Sequence, residues 1–296
     1  MSDAGRTRPG RWRGLGRFLE IQNLGLNLPF ALAFLFLAAR GLPRPLTVVL
    51  IVLAFVAARN AGHSFNRWAD RRIDAANPRT RDRALATGRV SPNLALGFCA
   101  GNAAVLVAAA YFLNPLAFVL APVALAIVLG YSYTKRVTSF TTAFLGLVEA
   151  ITPAAVFIAV EGEFPLVVLW AVGALLAWGT AFETIHSLGD LDSDRALRLY
   201  SVPRRIGGQR SVQLVPALHA AALLLLAAFG LALGLTLPYF LGLVAMGALV
   251  AVADRRLASQ PTHPRVPFRL HFAMSSCYLV GTLVAVFVPI GPALVR

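Results

Sequence analysis

Three oxygen-bearing side chains recur at one-turn spacing near the end of an apolar segment. Asn66, Asp70 and Asp74 are each four residues apart, and that spacing places them along one face of an α-helix. Carboxylate and carboxamide oxygens are hard ligands of the kind that divalent cations such as Mg2+ prefer. The spacing therefore predicts a metal-binding patch.

A second acidic cluster follows where another apolar segment ends. It reads Asp190-Leu191-Asp192-Ser193-Asp194. Asp190 and Asp194 share a helix face, while Asp192 points away if the helix continues. Either cluster alone could be a set of solvated loop acids that neutralise neighbouring arginines. The matched pair favours two patches that face each other and hold a metal-bound diphosphate.

Basic residues near the two clusters could hold the phosphates of such a ligand. When an allylic diphosphate ionises, its leaving group gains negative charge, which Mg2+ and basic side chains stabilise. An arginine guanidinium also matches two phosphate oxygens at once. Each candidate could instead serve only as a loop charge beside a membrane. The candidates are Arg67, Arg79, Arg83, Lys135 and Arg205.

Tyr131 and Lys135 lie one helical turn apart at the end of a further apolar segment. They could face one pocket, where an electron-rich ring would stabilise a developing carbocation. The alternative is an interfacial aromatic belt with a snorkelling lysine. Arg59 lies inside an apolar segment, and an ionisable group in that position indicates a functional site.

The composition of the chain is that of a membrane protein. The 296 residues are 58% hydrophobic and 14% charged, with a mean hydropathy of +0.71, whereas soluble chains are about a quarter charged. The net charge is +14, and nearly all of the basic residues lie in the N-terminal tail or in loops between apolar segments. That placement indicates membrane lipid as the partner, and no nucleic acid. Cys99 and Cys277 lack metal or redox spacing and are predicted to be buried.

Apolar segments set the architecture that must position these residues. Most have about the ~20 residues needed to span a bilayer, so we predict an all-α integral membrane protein with about nine transmembrane helices. The segments lie at about 20–39, 45–66, 93–113, 115–134, 139–160, 165–186, 211–233, 235–253 and 268–290.

Loop charges predict the orientation of the chain. Basic residues are frequent before the first segment and after every second one, whereas the opposite side carries only Arg40, Arg44 and Arg296. Basic loops favour the cytoplasm, so the N-terminus and both acidic clusters are predicted to be cytoplasmic. No cleavage site follows the first apolar run, which predicts a retained helix. The domains predicted are a basic tail at 1–17 and a single membrane domain at 18–296.

Three separately spaced motifs carry a resemblance to a known family. The first is Asn66-Arg-x-x-Asp70-x-x-x-Asp74 with Asn77-Pro-Arg-Thr80 and Arg83-Ala-Leu-x-x-Gly88 after it. The second is Tyr131-Ser-Tyr-Thr-Lys135-Arg, and the third is Gly189-Asp-Leu-Asp-Ser-Asp194 with Ser201-Val-Pro-x-Arg205-Ile-Gly207. Over about residues 20–290 the chain resembles the UbiA-type intramembrane prenyltransferases. It looks most like the 4-hydroxybenzoate polyprenyltransferase-like group, which includes enzymes of menaquinone and ubiquinone synthesis.

The resemblance implies a fold and a set of site residues. The helices would surround a central cavity that opens to the cytoplasmic side and toward lipid. Tyr131 would border the reactive carbon, and Arg67 and Asp192 are further candidates for substrate binding. Mg2+ would bridge a prenyl diphosphate to Asp70, Asp74, Asp190 and Asp194. The residues that would hold diphosphate or order the loops are Asn66, Arg79, Arg83, Lys135 and Arg205.

The sequence departs from the family pattern where an aromatic acceptor could bind. Glu20 and Asn23 stand where this branch often has Lys and His, and Glu183 and His186 precede the third motif. The first motif begins Asn66-Arg67 where other members often carry Asn-Asp. These departures leave the acceptor open, and the sequence also leaves open the prenyl chain length and the oligomeric state.

The function predicted is that of a membrane aromatic prenyltransferase of the inner membrane, with its active site on the cytoplasmic side. It would transfer a polyprenyl group from a prenyl diphosphate to a hydroxybenzoate- or dihydroxynaphthoate-like acceptor in quinone biosynthesis. One alternative is a relative with a different lipophilic acceptor. Another is a cation-coupled transporter, which would place ionisable residues near mid-membrane, where we expect only Arg59. A phospholipid head-group transferase would need a denser Asp-Gly/Ala-Arg signature, and a soluble isoprenoid synthase would not have these spans.

Overall fold

The computed structural model describes residues 27–259 and 268–288, and all regular structure in those two ranges is helical. Eight helices there are long and apolar enough to cross a membrane, and one more, from Leu28 to Ala39, is apolar but shorter. This confirms the predicted all-α membrane fold. The count of nine spans and the cytoplasmic N-terminus stay predictions, because the tail at 1–17 and the start of the first segment lie outside the described residues.

Twelve helices are numbered here in chain order, and a 3-10 turn at Tyr131–Tyr133 joins the fourth to the fifth. They are α1 (Leu28–Ala39), α2 (Pro45–Ala76), α3 (Pro92–Leu113), α4 (Pro115–Gly130), α5 (Thr134–Val137), α6 (Thr141–Glu161), α7 (Val168–Gly189), α8 (Leu191–Ala196), α9 (Val202–Ile206), α10 (Gly208–Ala232), α11 (Leu237–Ser259) and α12 (Phe268–Phe287).

Proline and polar caps set the starts of three long helices. Pro45, Pro92 and Pro115 open α2, α3 and α4, where a fixed φ and a missing N–H are tolerated. The side chains of Ser91 and Asn114 each accept a hydrogen bond from the backbone three residues further on, which satisfies one orphan N–H of the first turn. The spans therefore begin close to the boundaries that the sequence predicts.

An aromatic core holds α1 against α7, α10 and α12. The ring of Phe30 packs edge-on to Trp178 at 5.6 Å between centroids and lies 5.4 Å from Tyr278. Phe34 packs in the same way against Phe229, at 6.1 Å. Edge-to-face contacts of this kind contribute beyond the apolar area that they bury. This core anchors α7, whose far end carries residues of the candidate site.

Two glycines allow α6 and α7 to approach each other closely. A Cβ atom on Gly146 would lie 2.3 Å from the carbonyl oxygen of Leu176, and one on Gly179 would lie 2.9 Å from the Cα of Gly146. Small residues permit such contact between helix backbones in membrane proteins. The contact fixes the position of α7 relative to α6.

We expect Gly146→Ala to destabilise the protein by about 1–3 kcal/mol, because the added methyl group meets backbone atoms that cannot rotate away. The measurement is the thermal unfolding midpoint in detergent. The matched control is Gly97→Ala in α3, where a Cβ would meet nothing within 4 Å; it should leave the midpoint unchanged or raise it. A Gly146→Ala variant as stable as Gly97→Ala would contradict the close contact.

Candidate functional site

The first acidic cluster occupies the last turns of α2. This helix continues past the predicted apolar segment to Ala76, so one helix carries all three side chains. Asn66 donates to Asp70 at 3.1 Å, and Arg136 donates to the same carboxylate at 2.8 Å. Arg83 donates to Asp74 at 2.6 Å. Each carboxylate of the cluster therefore has a guanidinium partner.

The loop after α2 is anchored on Asp74. The Thr80 hydroxyl donates to the Asp74 carbonyl at 3.1 Å. Arg67 is 6% exposed, and its Nη1 lies 4.0 Å from Asp74 Oδ2, so a second guanidinium supports that carboxylate. These contacts turn the chain back across the end of the helix.

The second acidic cluster lies where α7 gives way to α8. Asp190 stands between the two helices, and the Asp194 N–H donates to the Asp190 carbonyl at 2.8 Å. Their one-turn relation is kept although α7 itself stops, and the two residues are 5% and 3% exposed. The side chain of Asp192 is 99% exposed and lies 3.6 Å from Arg195. The structure thus leaves Asp192 outside the cluster, because its side of α8 faces away from the bundle.

Arg79 joins the two clusters. Its Nε and Nη2 donate to the two carboxylate oxygens of Asp190 at 2.7 and 2.5 Å, and it also interacts electrostatically with Asp74. Asn77 donates to Asp190 at 3.2 Å. A bidentate arginine–carboxylate pair is both strong and directional. The loop after α2 therefore brings the two clusters together at one end of the bundle.

The two buried aspartates of the second cluster differ in electrostatic environment. Burial alone would raise the pKa of Asp190, but hydrogen bonds and charge from Arg79, with help from Lys135, lower that pKa below its ordinary value. For Asp194 burial outweighs the nearby Lys135, so its pKa is raised. The negative charge of Asp190 is therefore already balanced by Arg79, whereas a further positive charge beside Asp194 would stabilise its carboxylate.

Lys135, the one lysine in the sequence, lies among the carboxylates of both clusters. It belongs to the short helix α5, and its carbonyl accepts the N–H of Tyr200 at 2.8 Å, which ties α5 to the segment after the second cluster. Its ammonium group interacts electrostatically with Glu183, Asp194, Asp190 and Asp70. A single cation at this position serves both halves of the candidate site.

Tyr131 points toward the same region from the 3-10 turn before α5. Its hydroxyl donates to Glu183 at 2.7 Å, and Glu183 is 7% exposed. Through this tighter turn Tyr131 and Lys135 both interact with Glu183, and that they face one pocket stays a prediction. Glu183 is thereby part of the site.

Arg205 is placed differently from the other basic candidates. Its guanidinium lies over the Phe140 ring, 5.2 Å from the centroid. In the described part of the chain it forms no ion pair with either acidic cluster. It lines a small cleft beside Ser201 instead.

Two site residues went unpredicted although their motifs were recognised. Arg136 binds Asp70, and Asn77 binds Asp190. Both stand inside the quoted motifs, next to or near a predicted residue. Their position inside these motifs could have marked them as site residues. The aspartate that each one binds lies far away in the sequence, and spacing along the chain does not reveal such a contact.

A half-buried carboxylate two turns inside α6 was also not predicted from the sequence. Glu149 accepts a hydrogen bond from Asn27 at 2.7 Å and interacts electrostatically with Arg59. The prediction that Arg59 is the only deep ionisable residue is therefore wrong. The signal was present, because a carboxylate within an apolar segment is itself unusual.

The described residues fit a divalent cation that is shared with a phosphate ligand. Within these ranges no three His, Cys, Asp or Glu side chains are placed to enclose one ion by themselves. Mg2+ does not require such a cage, since it usually takes one or two carboxylates together with phosphate oxygens and water. Asp194 Oδ2 is buried and lacks a hydrogen-bond partner. A cation would satisfy that oxygen.

Comparison with known proteins identifies the class of the enzyme as a membrane prenyltransferase. The profile of the UbiA prenyltransferase family matches residues 27–291, so the chain belongs to that family. This confirms the resemblance carried by the three motifs. It also decides against the transporter and the head-group transferase.

Relatives and solved structures agree with that assignment. The 4-hydroxybenzoate octaprenyltransferase of Chromohalobacter salexigens is 34% identical over 221 residues, which are 75% of this chain and 74% of that protein. A UbiA homolog from Aeropyrum pernix K1, solved in its apo form, has a TM-score of 0.82 and 30% identity, covering 89% of this chain and 98% of its own. A UbiA homolog from Archaeoglobus fulgidus bound to GPP and Mg2+ has a TM-score of 0.66 and 19% identity, covering 93% of this chain and 100% of its own. At 19% identity, this similarity shows that the two proteins share a fold.

Proposed function

We propose that the chain transfers a polyprenyl group from a prenyl diphosphate to a hydroxybenzoate- or dihydroxynaphthoate-like acceptor in quinone biosynthesis. Family membership supports the reaction, and the name of the Chromohalobacter salexigens relative supports the acceptor. The observation that carries the proposal is Arg79, which pairs with Asp190 and interacts with Asp74. A diphosphate placed beside Arg79 would touch both clusters.

We propose that Mg2+ is the cofactor, and the Archaeoglobus fulgidus structure with GPP and Mg2+ supports this choice. When bound, the ion would neutralise the charge that develops on the leaving diphosphate. Arg79 and Arg83 would move their hydrogen bonds to phosphate oxygens, because their present carboxylate partners would then face the metal, and the Lys135 ammonium group would add its charge there. Asn66 and Arg67 would hold Asp70 and Asp74 in place. The proposed metal ligands are Asp70, Asp74, Asp190 and Asp194.

Tyr131 is proposed to border the allylic carbon, so its ring matters more than its hydroxyl group. A ring beside a cation contributes up to about 2 kcal/mol when water is excluded. We expect Tyr131→Leu to lower kcat by roughly 10- to 30-fold and Tyr131→Phe to lower it by less than about 3-fold. Single-turnover kinetics would check this. Equal losses in both variants would indicate that the hydrogen bond to Glu183 is the important feature.

The proposal places the protein in the inner membrane as a single domain at 18–296, with a basic tail at 1–17. The N-terminus and the end of the bundle that carries both acidic clusters would face the cytoplasm. The arginine-rich loops at that end support this orientation. Prenyl diphosphate would enter from the cytoplasmic side with its tail among the apolar helices, and membrane lipid would surround the bundle.

The experiment that tests the proposal uses the purified full chain in lipid vesicles with geranyl diphosphate as donor. Acceptors are 4-hydroxybenzoate and 1,4-dihydroxy-2-naphthoate, with benzoate as the control that lacks an activating hydroxyl group. We expect a prenylated product by mass spectrometry with one of the first two, and no product when EDTA replaces Mg2+. Failure of both acceptors with Mg2+ present would refute the proposed acceptor class. Product formation in EDTA would refute the role of the metal.

A further inference from the structure

A small cleft lies beside the second acidic cluster. It has a volume of about 250 Å³ and is lined by Ser139, Tyr200, Ser201, Arg204 and Arg205. Pockets for drug-sized ligands usually measure roughly 300–1,000 Å³. The cleft is therefore of a size for one small polar group and too small for a prenyl chain.

The two arginines of the cleft carry charge that no carboxylate neutralises within residues 27–259 and 268–288. Arg205 stacks on Phe140 at 5.2 Å, and Arg204 lies over the Tyr200 ring at 5.8 Å while donating to the Leu199 carbonyl. Both are exposed. The arginines at the two acidic clusters are instead bound to aspartates. A guanidinium group that lies over a ring keeps the N–H groups in its own plane available for a ligand.

Ser201 also lines the cleft, but its hydroxyl group belongs to the interior. The residue is 0% exposed, and its side chain interacts with the Asp194 carboxylate as a hydrogen-bond donor. The donors that a ligand in the cleft can reach are therefore those of the two arginines.

We propose that this cleft binds a phosphate group, at a position separate from the diphosphate site between the two acidic clusters. Two guanidinium groups supply donors for several phosphate oxygens at once. Tyr200, which lines the cleft, and Phe140, which lies beneath Arg205, are 46% and 59% exposed, as aromatic residues are at the headgroup level of a membrane. A lipid headgroup and free pyrophosphate share this chemistry. The proposal does not depend on prenyl transfer.

The test measures binding directly, with the purified full chain in neutral detergent containing EDTA, so that no metal-bridged diphosphate forms. One arm measures retention of phosphatidylglycerol against phosphatidylcholine by native mass spectrometry. The other measures binding of inorganic pyrophosphate by calorimetry. We expect one of the probes to bind, and the Arg204→Gln/Arg205→Gln double variant to weaken that binding at least tenfold. Which probe binds decides the source of the phosphate group.

The matched control is the Arg195→Gln/Arg210→Gln double variant, which removes the same charge from exposed residues outside the cleft. It should stay within twofold of the natural sequence. The Arg205→Gln single variant keeps Arg204 and should weaken binding about threefold, so it gives a second readout if the cleft double variant does not fold. Binding of neither probe would overturn the proposal. So would equal losses in the two double variants, because bulk charge alone would then explain the binding.

Discussion

Replacing Asp190 by asparagine is expected to lower the rate of prenyl transfer by roughly 10²–10³-fold, the range found when a group that stabilises developing charge is removed. Asp190 holds Arg79 through two hydrogen bonds and is proposed as a metal ligand. Asparagine keeps the size of the side chain but loses its charge and one acceptor oxygen. The measurement is kcat/KM for the prenyl diphosphate over a range of Mg2+ concentrations.

The comparison with Asp192→Asn makes this prediction specific. Asp192 belongs to the same acidic run, but its side chain is 99% exposed. We expect its replacement to change the rate by less than about 3-fold, since a surface ion pair contributes little. If the two variants lose activity equally, the negative charge of the whole segment matters and the placement of Asp190 does not.

Replacing Lys135 by glutamine is expected to lower kcat by roughly 10²-fold, because one cation interacts with carboxylates of both clusters and is proposed to move to the leaving diphosphate. Lys135→Arg should recover part of the rate, since it keeps the charge. The thermal unfolding midpoint separates this effect from folding. A Lys135→Gln variant with the natural kcat and a raised KM would assign Lys135 to substrate binding alone.

The helices could be predicted from the sequence, but the contacts between them could not. Helical spacing correctly placed Asn66, Asp70 and Asp74 on one face of α2, because periodicity is a local property of the chain. It could not show that Arg136 pairs with Asp70 across 66 residues. Nor could the pattern show that Asp192 faces solvent, since that depends on how α8 packs. The deep Glu149 was visible in the sequence and was overlooked.

The arginine–aspartate pairs have a consequence for how the site would take up a metal ion and a diphosphate. Asp70, Asp74 and Asp190 are each paired with a guanidinium group, so none of these three carboxylates is an uncompensated charge, which would be costly. Under the proposed function, a metal ion that binds an aspartate would release the arginine paired with it. The released arginine would then be available to bind the phosphate group. Loading would thus be an exchange of ionic partners at nearly constant local charge, and it would require little movement of the helices.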